Sequence, residues 1–235
     1  MELGLVESRT RAQARILAGQ VFLGSQRIDK AGEQVAIDAV LRVTELERYC
    51  SRGGGKLEGA LADFALDVGG LVAADVGAST GGFTDCLLQH GASRVYAVDV
   101  GHGQLAEKLR QDARVVVMDR TNARHLTPSS FPEAIELVVV DASFISLDKL
   151  LPAIAGFLRG GARLLSLIKP QFEVGREEAT RSRGVITDQA VRARAVQAAL
   201  DGVAASGFEL LGDCPCRVPG PKGNVEHFVL ARRLA

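Results

Sequence analysis

Residues 74–84 read Ala74-Asp75-Val76-Gly77-Ala78-Ser79-Thr80-Gly81-Gly82-Phe83-Thr84. Apolar residues from Leu71 to Ala74 lead into this stretch, and a helical pattern from Phe83 to Gln89 follows it. That order is strand, glycine-rich turn, helix. Such a turn gathers backbone N–H groups at a helix N-terminus, where the macrodipole favours negative charge. Gly77, Gly81 and Gly82 can take positive φ or let a ligand approach bare backbone. Asp75 stands at the strand end. The turn suits a nucleotide-like ligand.

Working outward, strands and helices alternate. Leu71–Val76, Arg94–Val100, Val115–Met118, Leu137–Val140 and Arg163–Ile168 read as strands. Phe83–Gln89, Gln104–Gln111, Leu147–Leu158 and Asp188–Ser206 read as helices. Near-continuous apolar strands alternating with helices predict an α/β, Rossmann-like, mainly parallel sheet covered on both faces. Phe208–Asp213 and Val225–Ala231 predict an antiparallel hairpin at its edge. Ligands of such sheets bind beyond the carboxyl ends of the strands. Asp75, Asp99, Asp119, Asp141 and Lys169 all fall at those ends.

The 235 residues allow one sizeable core and a small appendage. The formal net charge is zero, so a nucleic-acid site must come from local clustering. No apolar run has the length of a membrane helix, and the first twenty residues, studded with Glu and Arg, do not read as a signal peptide. The four cysteines lack zinc or disulfide spacing, which predicts reduced thiols in a cytoplasmic protein. His90, His102, His125 and His227 are scattered, so no metal is expected.

The first fifty residues predict a helix over Ser8–Gly19, with Ala12, Ile16 and Leu17 as its buried stripe. A strand at Val21–Leu23, a turn, a return strand at Arg27-Ile28 and an extended piece at Val35–Ile37 follow, and Leu41–Tyr49 links to the rest. The pattern from Ser8 to Gly32, carried by Arg11, Ala14, Ile16, Gly19, Val21, Leu23 and Ile28, resembles the S-four-type RNA-binding module. The resemblance implies RNA phosphate contacts from Arg9, Arg11, Arg15 and Lys30. It also implies that residues 1–46 form this module without its usual first helix, and that 47–235 form the second domain. The polar segment Glu173 to Gly184 carries Arg176, Arg181 and Arg183, which suit either a mobile charged loop or an RNA clamp ordered on binding.

The glycine turn departs from the dinucleotide fingerprint, since Gly77 is not followed by x-Gly. It departs from the phosphate loop too, since no Gly-Lys-Ser/Thr follows. Asp-x-Gly-x-x-x-Gly-Gly resembles instead the first motif of S-adenosylmethionine methyltransferases. That resemblance implies cofactor contacts at Asp75, Gly77, Ser79, Gly81, Gly82, Phe83 and Asp141. Asp99 would take the ribose hydroxyls and Asp119 the adenine amino group.

The motifs SRGGGKL (51–57), DVGASTGGFTD (75–85), VYAVDVGHGQL (95–105), RTN (120–122), ELVVVDASFISL (136–147), KPQFE (169–173) and PGPKGNVE (219–226) run in order through the chain. Together they resemble the TlyA, or haemolysin-A, family of ribosomal RNA 2′-O-methyltransferases, whose catalytic domain is FtsJ-like. The resemblance implies a Lys-Asp-Lys-Glu tetrad at Lys56, Asp141, Lys169 and Glu226, with ribosomal RNA or ribosomal subunits as partner and a cytidine ribose as target. Three glycines, Gly53 to Gly55, predict a loop rather than a helix interior before Lys56. Gly55 stands where the family often has a larger residue, implying a looser loop there. Two other classes remain as alternatives: a non-catalytic ribosome assembly factor, and a membrane-active haemolysin, which the lack of a spanning segment disfavours.

Overall fold

The computed structural model describes residues 3–17, 19–36, 38–43, 48–175, 178, 181–182, 184–220 and 223–235. It divides into two compact units, Met1–Arg48 and Tyr49–Ala235. In the first, helix α1 (Arg9–Leu17) starts where the Ser8 hydroxyl accepts from the Arg11 amide at 3.2 Å. It ends at Gly19, whose φ of +68° serves as a left-handed cap. Leu17, expected in the buried stripe, is exposed.

Strands β1 (Val21–Leu23), β2 (Gln26–Arg27) and β3 (Leu41–Val43) form an antiparallel sheet in the order β2-β1-β3. The third strand is thus not Val35–Ile37. A turn bond from the Ala39 amide to the Ala36 carbonyl breaks that run, and Ile37 lies outside the described residues. Leu41 and Val43 instead pair with Leu23 and Val21, and the Arg42 guanidinium lies 5.3 Å from the Phe22 ring centroid.

The second unit opens with α2 (Arg52–Asp63), which corrects the loop expected before Lys56. Ser51 caps the helix, accepting from the Gly53 amide, and Gly53 to Gly55 fill its first turn. Glycine there costs helix propensity, but packing demands it. A Cβ on Gly54 would overlap the Tyr49 ring. A Cβ on Gly82, across in α3 (Gly82–Gln89), would overlap Ser51 Oγ and lie 2.9 Å from the Gly54 amide nitrogen. The backbones of α2 and α3 therefore approach closely. Only at Gly55 is the space beyond the missing side chain open.

The sheet follows the expected alternation. Strands β4 (Val72–Val76), β5 (Arg94–Val98), β6 (Val115–Met118), β7 (Leu137–Val140) and β8 (Arg163–Ile168) are parallel. Strands β9 (Phe208–Pro215) and β10 (His227–Arg233) run antiparallel, giving the order β6-β5-β4-β7-β8-β10-β9. Alternate residues bury on opposite faces. Ala74, Val76, Val138, Val140, Leu164 and Ile168 pack with α5 (Leu151–Phe157) and α7 (Gln189–Ala205). Ala73, Leu137, Val139, Leu165, Leu167 and Phe228 pack with α2 and α3.

Two helices are shorter than their periodicity. α4 spans only Glu107–Arg110, because Ala106 is extended. The run from Leu147 begins as a 3₁₀ turn, Leu147–Lys149, before α5. Strand β5 stops at Val98 because the Asp99 carboxylate accepts from the Gly101 amide at 2.7 Å and turns the chain. Helix α6 (Pro170–Glu173) is a single turn directly after β8.

The chain runs from β4 outward through β5 to β6, then returns to place β7 on the other side of β4. The carboxyl end of β4 is thus the topological switch point, where a crevice opens.

The glycine pair in α2 gives a direct test. Gly54→Ala is expected to destabilise by about 1–3 kcal/mol through overpacking. Gly55→Ala, with open space, is expected to stabilise by up to about 1 kcal/mol. Urea unfolding of both variants reads the contrast.

Candidate active site

The switch point is built by the glycine turn. Gly77, at φ +89°, donates to the Val98 carbonyl at 2.9 Å, and a Cβ there would sit 2.9 Å from the Asp141 carbonyl oxygen. The ends of β4, β5 and β7 are thereby drawn together. Gly81, at φ +95°, is the N-cap of α3. Its missing Cβ makes room for Leu105 and Leu109 rather than for a ligand.

Asp75 lies beneath the turn, fully buried. Its Oδ2 accepts from the Thr84 amide at 2.9 Å and the Thr84 hydroxyl at 2.7 Å, anchoring the start of α3. No donor among the described residues reaches its Oδ1. Burial pushes its carboxyl up to about 7, against the two Thr84 hydrogen bonds, which favour the charged form.

The next two carboxylates also organise backbone. Asp99 accepts from the Ser79 amide on Oδ2 at 2.8 Å, besides Gly101 on Oδ1. Asp119 Oδ2 accepts from the Gly103 amide at 3.0 Å and from Arg110 at 3.2 Å, with His102 Nδ1 at 3.1 Å. The Gly103 amide, ahead of Arg110, holds the Asp119 carboxyl below the usual carboxylate range. One oxygen of Asp119 is thus crowded with donors, an environment that the motif alone did not disclose.

Beyond the turn lies a cleft of about 610 Å³. Gly77, Ser79, Gly82 and Phe83 line one side. Lys56, Asp141, Lys169 and Glu226 line the other. Asp75, Gly81, Asp99 and Asp119 are not in its wall, so the expected cofactor contacts divide between cleft lining and the framework beneath and beside it.

The four charged side chains come from four elements and meet as two pairs. Lys56 Nζ, from the second turn of α2, lies 2.5 Å from Glu226 Oε2, at the entry to β10. Lys169 Nζ, just past β8, lies 2.6 Å from Asp141 Oδ1, just past β7. Lys169 also donates to Ser143 Oγ at 2.8 Å and to the Asp141 carbonyl at 3.3 Å. Lys56, Lys169 and Glu226 are 8, 7 and 1% exposed. Charges this buried require partners, since an unpaired one costs several kcal/mol, on the order of 3–5. Glu226 Oε1 is buried with no donor among the described residues. Gly220 leaves the room it occupies.

Other residues in the wall had no sequence assignment. Ser143 and Phe144 follow Asp141 inside SFIS, and Gln171 and Phe172 follow Lys169 inside KPQFE. The available signal was their spacing of two or three residues from a strand-end charge. Phe144 is 92% exposed, holds φ +64°, and packs against Phe172 with ring centroids 5.2 Å apart. Asn224 clasps the segment before α7, accepting from the Ile186 amide and donating to the Gly184 carbonyl.

The expected RNA contacts lie elsewhere. In the first unit, Arg11 pairs with Glu7 at 2.6 Å, Arg15 donates to Gln20 at 3.1 Å, and Arg9 and Lys30 are exposed. Arg181 pairs with Glu178 at 3.2 Å. Arg176 and Arg183 lie outside the described residues.

Asp75 carries a pH signature whose sign is fixed. Its folded pKa is raised, so the folded state holds a proton that the unfolded chain releases. Stability is full below the unfolded pKa and falls as pH rises towards 7. At roughly 1.4 kcal/mol per pH unit, tapering as the folded group itself titrates, about 2 kcal/mol is expected to be lost from this group between pH 5 and 7. Asp75→Asn keeps an acceptor for Thr84 and is expected to remove that part of the loss. Equilibrium unfolding of both proteins at the two pH values checks it.

The chain's likenesses are extensive. The FtsJ-like methyltransferase model matches residues 49–233. The 16S/23S rRNA (cytidine-2'-O)-methyltransferase TlyA of Mycobacterium tuberculosis is 46% identical over 231 residues, spanning 97% of this chain and 86% of that protein. YqxC of Bacillus subtilis, an rRNA methyltransferase candidate, is 45% identical over 97% of this chain and 82% of its own. The solved structure of a hemolysin candidate from Streptococcus thermophilus superposes with a TM-score of 0.79 at 40% identity, covering 99% of this chain and 86% of that one. With the glycine turn at the switch point and the two ion pairs beside it, this chain belongs to the TlyA group of the FtsJ-like methyltransferase family.

Proposed function

We propose that this protein transfers a methyl group from S-adenosylmethionine to a ribose 2′-hydroxyl of ribosomal RNA, at a cytidine. The observation that carries the reading is the meeting of two lysine–carboxylate pairs, both lysines buried, in one cleft beside a glycine turn. The name of the mycobacterial relative supports the base and the RNA class.

The cleft fits the cofactor. Its volume is that of a small-molecule site, and the donorless Oδ1 of Asp75 lies beneath the turn that would hold the amino-acid part. Gly77, Ser79, Gly82 and Phe83 would line that part, with Asp99 available to the ribose hydroxyls and Asp119, through its less crowded oxygen, to the adenine amine. When bound, S-adenosylmethionine supplies an electrophilic methyl group on a sulfonium.

The protein must place a 2′-hydroxyl in line with that methyl and manage its proton. Lys169 Nζ donates to Ser143 Oγ and the Asp141 carbonyl, and its ion-pair partner Asp141 Oδ1 lies 2.6 Å away. Lys169 is read as the group that stabilises the oxygen electrostatically as negative charge develops. The hydroxyl proton must leave to a carboxylate of the cleft. Glu226, paired with Lys56, presents its Oε1 as the acceptor for the incoming hydroxyl. Positioning of the two reactants supplies much of the rate.

Residues 1–46 are read as an S-four-type module that meets RNA phosphates through Arg9, Arg11, Arg15 and Lys30. The domain at 47–235 adds Arg181 and Arg183. Such a substrate places the protein in the cytoplasm. Among the described residues no helix is long and apolar enough to cross a membrane.

The test is transfer of labelled methyl from S-adenosylmethionine to purified ribosomal subunits, followed by mapping of ribose methylation. A 2′-O-methylcytidine is expected; subunit binding without transfer would mark a non-catalytic assembly factor instead. Lys169→Ala is expected to lower the transfer rate by about 10²–10³, with cofactor affinity within about threefold as read by calorimetry. Wild-type turnover by that variant would overturn the assignment of the cleft.

A further inference from the structure

Glu173 closes α6 and belongs to neither ion pair. Its Oε1 accepts from the Leu147 amide at 3.0 Å. With Val140, Ile145, Leu147, Leu150, Ser166 and Lys169 it lines a narrow internal space. Burial pushes the carboxyl up to about 7, the Leu147 amide opposing. Asp148 and Lys149 are the charged neighbours that act on it, with opposite signs. A carboxyl held in a largely apolar place is costly to keep, and its hydrogen bond from the Leu147 amide crosses between two segments.

Those segments already meet once. The chain from Asp141 to Leu147 connects β7 to the 3₁₀ turn and carries Asp141 and Ser143. Lys169, the N-cap of α6, holds both of these. Glu173 lies four residues on, one helical turn away, and holds the far end at Leu147. The stretch between is not held by regular structure, and it contains Phe144 at φ +64°. A strained backbone of this kind persists only when its surroundings fix it.

We propose that Glu173 is a positioning residue for methyl transfer. By holding the Leu147 amide it fixes the Asp141–Leu147 segment at the end opposite Lys169, so that Asp141 and Ser143 stay on the Lys169 ammonium. The inference rests on the methyl-transfer reading above.

Three variants test it. Glu173→Gln keeps a carbonyl oxygen for the Leu147 amide. Glu173→Leu keeps much of the volume and removes the acceptor. Glu173→Asp keeps the charge and withdraws it by one methylene. Each is assayed for single-turnover methyl transfer to ribosomal subunits, cofactor affinity by calorimetry, and exchange of the Leu147 amide by NMR.

Glu173→Leu and Glu173→Asp are expected to slow transfer at least tenfold and to speed Leu147 exchange at least tenfold, with cofactor affinity within about threefold. Glu173→Gln is expected to restore both transfer and protection to within about threefold of wild type. Transfer by Glu173→Leu or Glu173→Asp within twofold of wild type would overturn the proposal, as would a Glu173→Gln variant as slow as the other two. Should Glu173→Leu fail to fold, Glu173→Asp and Glu173→Gln carry the comparison. A wild-type protein that methylates no ribose would remove the underlying reading instead, which is a different outcome from normal transfer by the variants.

Discussion

Burying a charge is tolerable only beside an opposite one, and this constraint organises the second unit. Lys56 and Lys169 are both withdrawn from water, and each is met by a carboxylate at 2.5–2.6 Å. Replacing such pairs with apolar residues would often be neutral or favourable for stability. Their presence side by side in one cleft is therefore better explained by chemistry than by folding. The framework makes sense in that light. β7 and β8 deliver Asp141 and Lys169 at neighbouring strand ends, the antiparallel β10 delivers Glu226 from the opposite direction, and α2 delivers Lys56 from above the sheet.

The close approach of α2 to α3 is what brings Lys56 into range. It is allowed by Gly54 and Gly82, where any side chain would strike Tyr49 or Ser51. The glycines that weaken a helix by propensity thus permit the contact that gives this helix its role. A similar exchange governs Asp75. Its carboxyl is held at a cost beneath the turn, and in return it ties the first turn of α3 to the end of β4 through Thr84. The turn that faces the ligand is stiff because a buried acid holds it from behind.

Much of this was legible in the sequence. Val115–Met118, Leu137–Val140 and Arg163–Ile168 have the bounds that their apolar-rich runs suggest, most plainly Leu137–Val140, which is buried throughout. The strand-end charges marked the ligand edge for the same reason that the sheet is parallel. What local pattern could not show was tertiary. The run Gly53–Gly55 reads as a loop until Tyr49 and α3 are placed against it. Leu41–Val43 reads as a linker until β1 offers it a partner. Gly81 reads as a ligand contact, yet its space is filled by Leu105 and Leu109. Ser143 offers only its spacing from a strand-end charge, and the importance of Glu173 depends on which segment lies across from it.

If the two ion pairs act as one unit, removing both members of a pair should cost little more than removing one. The most direct measurement is single-turnover methyl transfer to ribosomal subunits by Lys56→Met, Glu226→Gln and the double variant. A double variant about as slow as the slower single variant is the expected result. Losses that multiply, or single variants that react at the wild-type rate, would contradict a shared role for the pair.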